Sequence, residues 1–93
     1  MIRIVHLQLA LDRCTDFESF VQPRMPQIAA QPGCRSVRLL RGAPGHYFTV
    51  SDWESEIALD AYRESALFAE IWPTVKPWFS AKAEAWTTDE IPF

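Results

Sequence analysis

Little in this chain of 93 residues is suited to holding a metal ion or a nucleic acid. Nine Lys and Arg residues stand against twelve Asp and Glu, a net charge of −3, with no basic patch. Neutralising a phosphate backbone needs such a patch, so nucleic acid is not an expected partner. The two cysteines, Cys14 and Cys34, lie far apart and fit no metal-binding or redox spacing. Nothing beside either one would lower a thiol pKa, so both are expected to be inert. There is no phosphate-binding glycine loop, no cluster of metal-ligating side chains and no Ser-His-Asp arrangement. No apolar run is long enough to span a membrane. The opening MIRIVHLQLALDR lacks a separate apolar region followed by a small-residue cleavage site, and it reads as a strand rather than a signal peptide. The expectation is a reduced, cytoplasmic protein with no membrane partner and no cofactor.

What the chain has in excess is apolar and aromatic surface. Hydrophobic residues make up 48% of it, and four are Trp. Ninety-three residues suit one domain, 1–93. A domain of this size buries only about 60–65% of its unfolded surface. Either a pocket or a partner chain must take up the surplus.

The chain is organised around His46 to Phe79. Tyr47, Phe48, Thr49 and Val50 suit a packed strand. After Asp52-Trp53-Glu54-Ser55 the period changes. Leu59, Tyr62 and Ala66, then Leu67, Phe68, Ile71, Trp72 and Val75, recur at the three- and four-residue spacing of one helical face. Ser55 is the expected N-cap, and Ser65 is placed to recap a second helical segment. Pro73 and Pro77 are expected to limit its regularity.

Ahead of this stretch, Met1 to Leu11 reads as a first strand. Val5, Leu7 and Leu9 share one face; Ile2, Ile4, His6 and Gln8 share the other. Thr15-Asp16-Phe17-Glu18 has the form of a capping box opening a helix, with a break expected near Gln22 because of Pro23 and Pro26. Pro32-Gly33 closes that segment, Gly33 in a left-handed conformation. Cys34 to Arg41 and His46 to Trp53 form a hairpin across the Gly42-Ala43-Pro44-Gly45 loop, and Ala81 to Thr88 reads as the last strand. The order β-α-β-β-α-β is the α+β, ferredoxin-like arrangement: an antiparallel sheet with both helices on one face. Ile2 and Ile4 on the uncovered face call for a second copy of the chain, hence a homodimer.

The residues Trp53-Glu54-Ser55-Glu56, Leu59, Ala61-Tyr62-Arg63, Ser65, Leu67-Phe68, Trp72, Lys76-Pro77 and Ala85-Trp86, with the Pro32-Gly33-Cys34 turn, give the chain a family resemblance. It resembles the antibiotic biosynthesis monooxygenases of the dimeric α/β-barrel superfamily. The resemblance implies a homodimer whose two sheets close a barrel, with a ligand cavity between sheet and helices in each subunit. It also implies a small-molecule chemistry drawn from cofactor-independent oxygenation of phenols and quinols, from haem degradation, or from ligand binding without turnover. The haem-degrading branch uses an Asn on the first strand and a Trp and a His on the second helix. Here the first strand has no Asn, and those helix positions carry Tyr62 and Trp72, so haem degradation is not implied.

The expected function is therefore a cofactor-independent monooxygenase of a phenolic or quinol-like aromatic molecule. The alternatives are a non-catalytic, ligand-binding or stress-response dimer, and a purely structural dimer with a closed aromatic core. The candidate catalytic residues are His6, Tyr62 and Arg63. His6 is of a type that can take a phenol proton near neutral pH, or it is a satisfied structural histidine. Tyr62 hydrogen-bonds a substrate oxygen or is a core aromatic with its hydroxyl satisfied at the edge. Arg63 or Arg38 supplies a counter-charge, unless Arg38 serves an inter-chain ion pair. Trp53, Phe68 and Trp72 stack on a flat substrate or are core. His46, after the glycine loop, is expected to be solvated.

Overall fold

The computed structural model describes all 93 residues. Strands β1 (Ile2–Gln8), β2 (Cys34–Arg41), β3 (His46–Trp53) and β4 (Glu84–Thr88) form one antiparallel sheet in the order β2-β3-β1-β4. Helices α1 (Cys14–Val21) and α2 (Met25–Ala29) connect β1 to β2, and α3 (Glu56–Arg63) and α4 (Ala66–Val75) connect β3 to β4. This is the ferredoxin-like arrangement. No helix is long and apolar enough to cross a membrane.

The parity of the strands sorts the side chains. Leu7 and Leu9 of the first strand region and Tyr47 of β3 point to the helices and join Phe17, Val21, Ile28, Ile71 and Val75 in the buried cluster. On the outer face, four cross-strand rows run over the sheet. One is Leu40, Phe48, His6, Glu84; the next is Arg38, Val50, Ile4, Trp86. No element covers that face.

Several local details follow from identifiable residues. The Oγ of Ser55 accepts from the Ala58 amide at 3.1 Å, and that of Ser65 from the Phe68 amide at 3.2 Å. Each serine thus caps its helix. The break after α1 is a 3-10 turn at Gln22–Arg24, as prolines 23 and 26 require. Pro73 does not end α4, which continues to Val75 before the 3-10 turn Lys76–Trp78. The first strand stops at Gln8 rather than Leu11. Beyond it the Leu9 amide turns to the Gly45 carbonyl at 2.7 Å and the Ala10 amide to that of Trp78 at 2.8 Å, leaving the ladder. The last strand begins at Glu84 rather than Ala81.

The capping box does not form. A 3-10 turn at Leu11–Arg13 leads directly into α1 at Cys14, so Thr15 is already inside the helix and makes no cap hydrogen bond. Glu18 is drawn across to the sheet, where its carboxylate accepts from both Arg41 and Tyr47. These bonds hold the Glu18 carboxyl below its ordinary value of 4.5, and burial with the Glu18 bond pushes Tyr47 up to about 12. A carboxyl depressed in the folded state stabilises the fold above its unfolded pKa and loses that contribution as pH falls through the folded pKa. The melting temperature is therefore expected to drop as pH is lowered below 4.5, and Glu18→Gln to flatten that drop. An identical acid profile for the variant in a thermal-melt series would show that the Glu18 contacts contribute nothing.

Candidate functional site

Between the inner face of the sheet and the helices lies a cavity of about 350 Å³. Its floor is Val5 and Leu7 of β1, Val37 of β2, and Thr49 and Ser51 of β3; its walls come from all four helices. Sixteen of its 20 lining residues are hydrophobic, which suits a flat apolar ligand fixed by a few polar groups.

Along one wall four aromatic rings follow one another, and a fifth, Phe79, backs the last of them from outside the lining. Trp53 stacks on Tyr62 with ring centroids 5.3 Å apart, and Tyr62 meets Phe68 edge-on at 5.4 Å. Phe68 stacks on Trp72 at 5.8 Å, and Trp72 meets Phe79 edge-on at 5.5 Å. Offset-stacked and edge-to-face pairs are the favourable geometries for aromatic rings. The Trp53 end is fixed: the residue is 1% exposed and its Nε1 donates to Ser51 Oγ at 2.9 Å. The capped starts of α3 and α4 set the positions of Tyr62 and Phe68 on this wall.

The polar complement is small and of one sign. Arg3 and Arg63 line the cavity together with Thr49 and Ser51; no carboxylate and no imidazole does. Arg3 donates to Thr87 Oγ1 at 2.9 Å. Burial, with the neighbouring Arg63 charge, lowers the Arg3 pKa. The Tyr62 hydroxyl makes no hydrogen bond within the protein, and the one buried side-chain oxygen left without a partner is Oδ1 of Asp52, not this hydroxyl. Burial, with a smaller contribution from Cys34, pushes Tyr62 up to about 12. It is a neutral hydrogen-bond donor at physiological pH and not a base. The Cys34 thiol is raised by burial as well.

Of the residues expected at the site, Tyr62, Arg63, Trp53, Phe68 and Trp72 line this one cavity. His6 and Arg38 do not. They project from the outer face, with the thickness of the sheet between them and the cavity. His6 Nε2 lies 2.9 Å from Nδ1 of His46, and its Nδ1 is 3.5 Å from Glu84 Oε1. The two imidazoles are coplanar, 2° apart, so one nitrogen donates in plane to the other. His46 is thus engaged with His6 and not simply solvated. Arg3 joins the site from outside the residues expected there. Its signal was parity: a charged residue in phase with Val5 and Leu7, on the face meant for the interior.

Comparison with known proteins bears on this geometry. No curated protein matches the sequence. Among solved structures, a protein from Nitrosomonas europaea named for antibiotic biosynthesis monooxygenases superposes with a TM-score of 0.91 at 17% identity, covering 98% of each chain. A Mycobacterium tuberculosis protein gives 0.90 at 19% identity, covering 99% of this chain and 95% of the other. A Bordetella bronchiseptica protein, again named for antibiotic biosynthesis monooxygenases, gives 0.85 at 28% identity over 98% of this chain and 96% of its own. The sequence profile described as antibiotic biosynthesis monooxygenase matches residues 1–72, which hold β1 through α3, most of α4 and the aromatic wall. With that match over most of its length, the chain belongs to the antibiotic biosynthesis monooxygenase family.

Proposed function

We propose that the protein is a cofactor-independent monooxygenase that oxidises a phenolic or quinol-like aromatic molecule in the sheet–helix cavity, working as a homodimer. The observation that carries this is the cavity itself: an aromatic wall, two guanidinium groups and a free tyrosine hydroxyl around space for a flat ligand. A phenol bound with its oxygen at the Tyr62 hydroxyl ionises more readily, because that hydrogen bond favours its anion. With no base lining the cavity, the proton leaves to water. The electron-rich anion then reacts with O₂ at ring carbon. A C–O bond forms, the O–O bond breaks, and a C–H bearing phenol plus O₂ becomes a quinone plus water. The substrate supplies the four electrons; the cavity reaches solvent beside half-exposed Arg63, where the proton leaves, and is apolar elsewhere.

The outer face supports the homodimer. Ile2, Ile4, Phe48, Val50, Leu40 and Trp86 lie together on it, Trp86 46% exposed. A second copy laid against it would give an obligate interface of over about 2,000 Å² in total.

Oxygen uptake with naphthols and dihydroxynaphthalenes tests the activity. Tyr62→Phe is expected to lower kcat/KM about 5- to 150-fold, the equivalent of about 1–3 kcal/mol, with the melting temperature nearly unchanged. Full turnover in the variant, with a melting temperature lower by several degrees, would make the hydroxyl a structural group. A second reading, a binding protein without turnover, is favoured by the absence of any base from the cavity lining. Saturable ligand binding without oxygen uptake would establish it.

A further inference from the structure

The arginines of this chain are not equivalent. Arg13 is paired with Asp16 at 3.1 Å, Arg24 with Glu70 at 2.8 Å, and Arg41 with Glu18. Arg35 and Arg38 of β2 have no ion pair but lie outside the cavity, and the two that line it, Arg3 and Arg63, are also without such a close partner. Arg3 donates to a neutral hydroxyl, that of Thr87, which leaves most of its five N–H donors unused. Arg63 has its nearest carboxylate, Asp60, at 3.9 Å, with both side chains about half-exposed. Contacts of that length at a wet surface are weak. No acid lines the cavity; Asp60, outside it, acts on both charges, yet burial and Arg63 still outweigh it at Arg3. Two cations that address one apolar space ask for negative charge from whatever enters it.

Resting on the cavity as the substrate site, we propose that the molecule it takes is a hydroxy-aromatic acid of about two fused rings, its carboxylate held by Arg3 and Arg63. A guanidinium presents parallel N–H groups that match a carboxylate in bidentate fashion. The carboxylate at the arginine end leaves the rings to lie along Tyr62, Phe68 and Trp72, with the phenolic oxygen near the Tyr62 hydroxyl. A cavity of about 350 Å³ is at the small end of the range for ligand sites, which favours two rings over a larger polycycle. A neutral phenol of the same shape fills the aromatic part and leaves the paired charges unmet.

Calorimetric titration of the whole protein with a hydroxynaphthoate, with its uncharged carboxamide and with naphthol provides the test. The acid is expected to bind at least about tenfold tighter than either neutral compound, and its affinity is expected to fall as salt is added. Arg3→Gln is expected to weaken the acid about tenfold or more while moving naphthol less than about twofold. Arg63→Gln, at the half-exposed rim, gives a second variant with the same contrast if Arg3→Gln disturbs the sheet. Naphthol binding as tightly as the acid overturns the proposal. So does equal loss for both ligands in both variants, or no binding of the acid at millimolar concentration. The titration is independent of turnover. Arginine-dependent binding of the acid without oxygen uptake ends the monooxygenase reading and leaves this one standing. Turnover of naphthols with no preference for the acid does the reverse.

Discussion

Ile4→Asp is expected to convert a dimer into a folded monomer. Ile4 lies on the central strand β1, between Val50 of β3 and Trp86 of β4, at the middle of the outer face. In the isolated subunit Ile4 is half-buried beside Val50 and Trp86 and outside the core cluster, so its replacement should cost less than a core change. Against a second copy the new carboxylate is buried among apolar side chains such as Val50 and Trp86, its own strand neighbours. An isologous interface repeats the defect at both subunits. An uncompensated buried charge costs several kcal/mol, so the dimer should weaken by at least about a thousandfold, or about 4 kcal/mol. Sedimentation velocity should show the unsubstituted protein at twice the monomer mass at micromolar concentration and the variant at the monomer mass. Ala69→Asp, on the exposed side of α4, should leave the mass at twice the monomer. A monomeric parent protein, or an Ile4→Asp variant that remains a dimer, would remove the outer face from consideration as an interface.

Gly33→Ala is expected to cost about 2–5 kcal/mol, from left-handed backbone and overpacking together. Gly33 has φ +81°, and a Cβ built there would lie 2.5 Å from the Cβ of Ala58 in the first turn of α3. Its carbonyl also accepts from the Glu54 amide at 2.8 Å, so the turn before β2 and the corner before α3 are one packed unit. A methyl group at residue 33 strains the first and pushes on the second. In a domain of this size such a loss lowers the melting temperature by more than about 10 °C. Because α3 carries Tyr62 and Arg63, ligand affinity should fall in the same variant at temperatures where it is still folded. A melting temperature within a degree or two of the parent would show that α3 moves aside freely.

Much of the fold was legible because short-range chemistry and long-range packing agree in this chain. The bounds of β2 are set by Pro32-Gly33 before it and the Gly42–Gly45 loop after it, and β3 begins directly after that loop with the aromatic and β-branched run Tyr47 to Val50. Ser55 and Ser65 announce two helix starts because a hydroxyl three residues ahead of an amide has only local requirements. The same local logic failed at Thr15-Asp16-Phe17-Glu18. There a tertiary partner pair, Arg41 and Tyr47, competed for the glutamate and won, and nothing within a four-residue window records that competition. Helical spacing alone put Tyr62, Phe68 and Trp72 on one face, while Trp53 at the end of β3 joins them only in the folded chain. The cavity's electrostatics were less legible. His6 was a plausible base by residue type, yet the parity that places Ile2 and Ile4 on the outer face places His6 there too. The same rule, applied to Arg3, puts a cation inside. Residue chemistry suggests a role; strand phase decides which side of the sheet that role can be played on.

The four indoles meet three environments, Trp53 and Trp72 sharing the cavity. Trp53 is sealed beside Ser51, Trp72 lies in the cavity wall, Trp78 meets Phe20 edge-on beside the core, and Trp86 stands nearly half-exposed on the outer face. Indole emission shifts to longer wavelength with exposure to water and is quenched by electron-poor rings in contact. The red part of the intrinsic fluorescence therefore belongs to Trp86 and reports on what covers the sheet. The blue part includes Trp53 and Trp72 and is quenched when an electron-poor quinone fills the cavity. A single emission spectrum of the unlabelled protein separates subunit association from ligand occupancy.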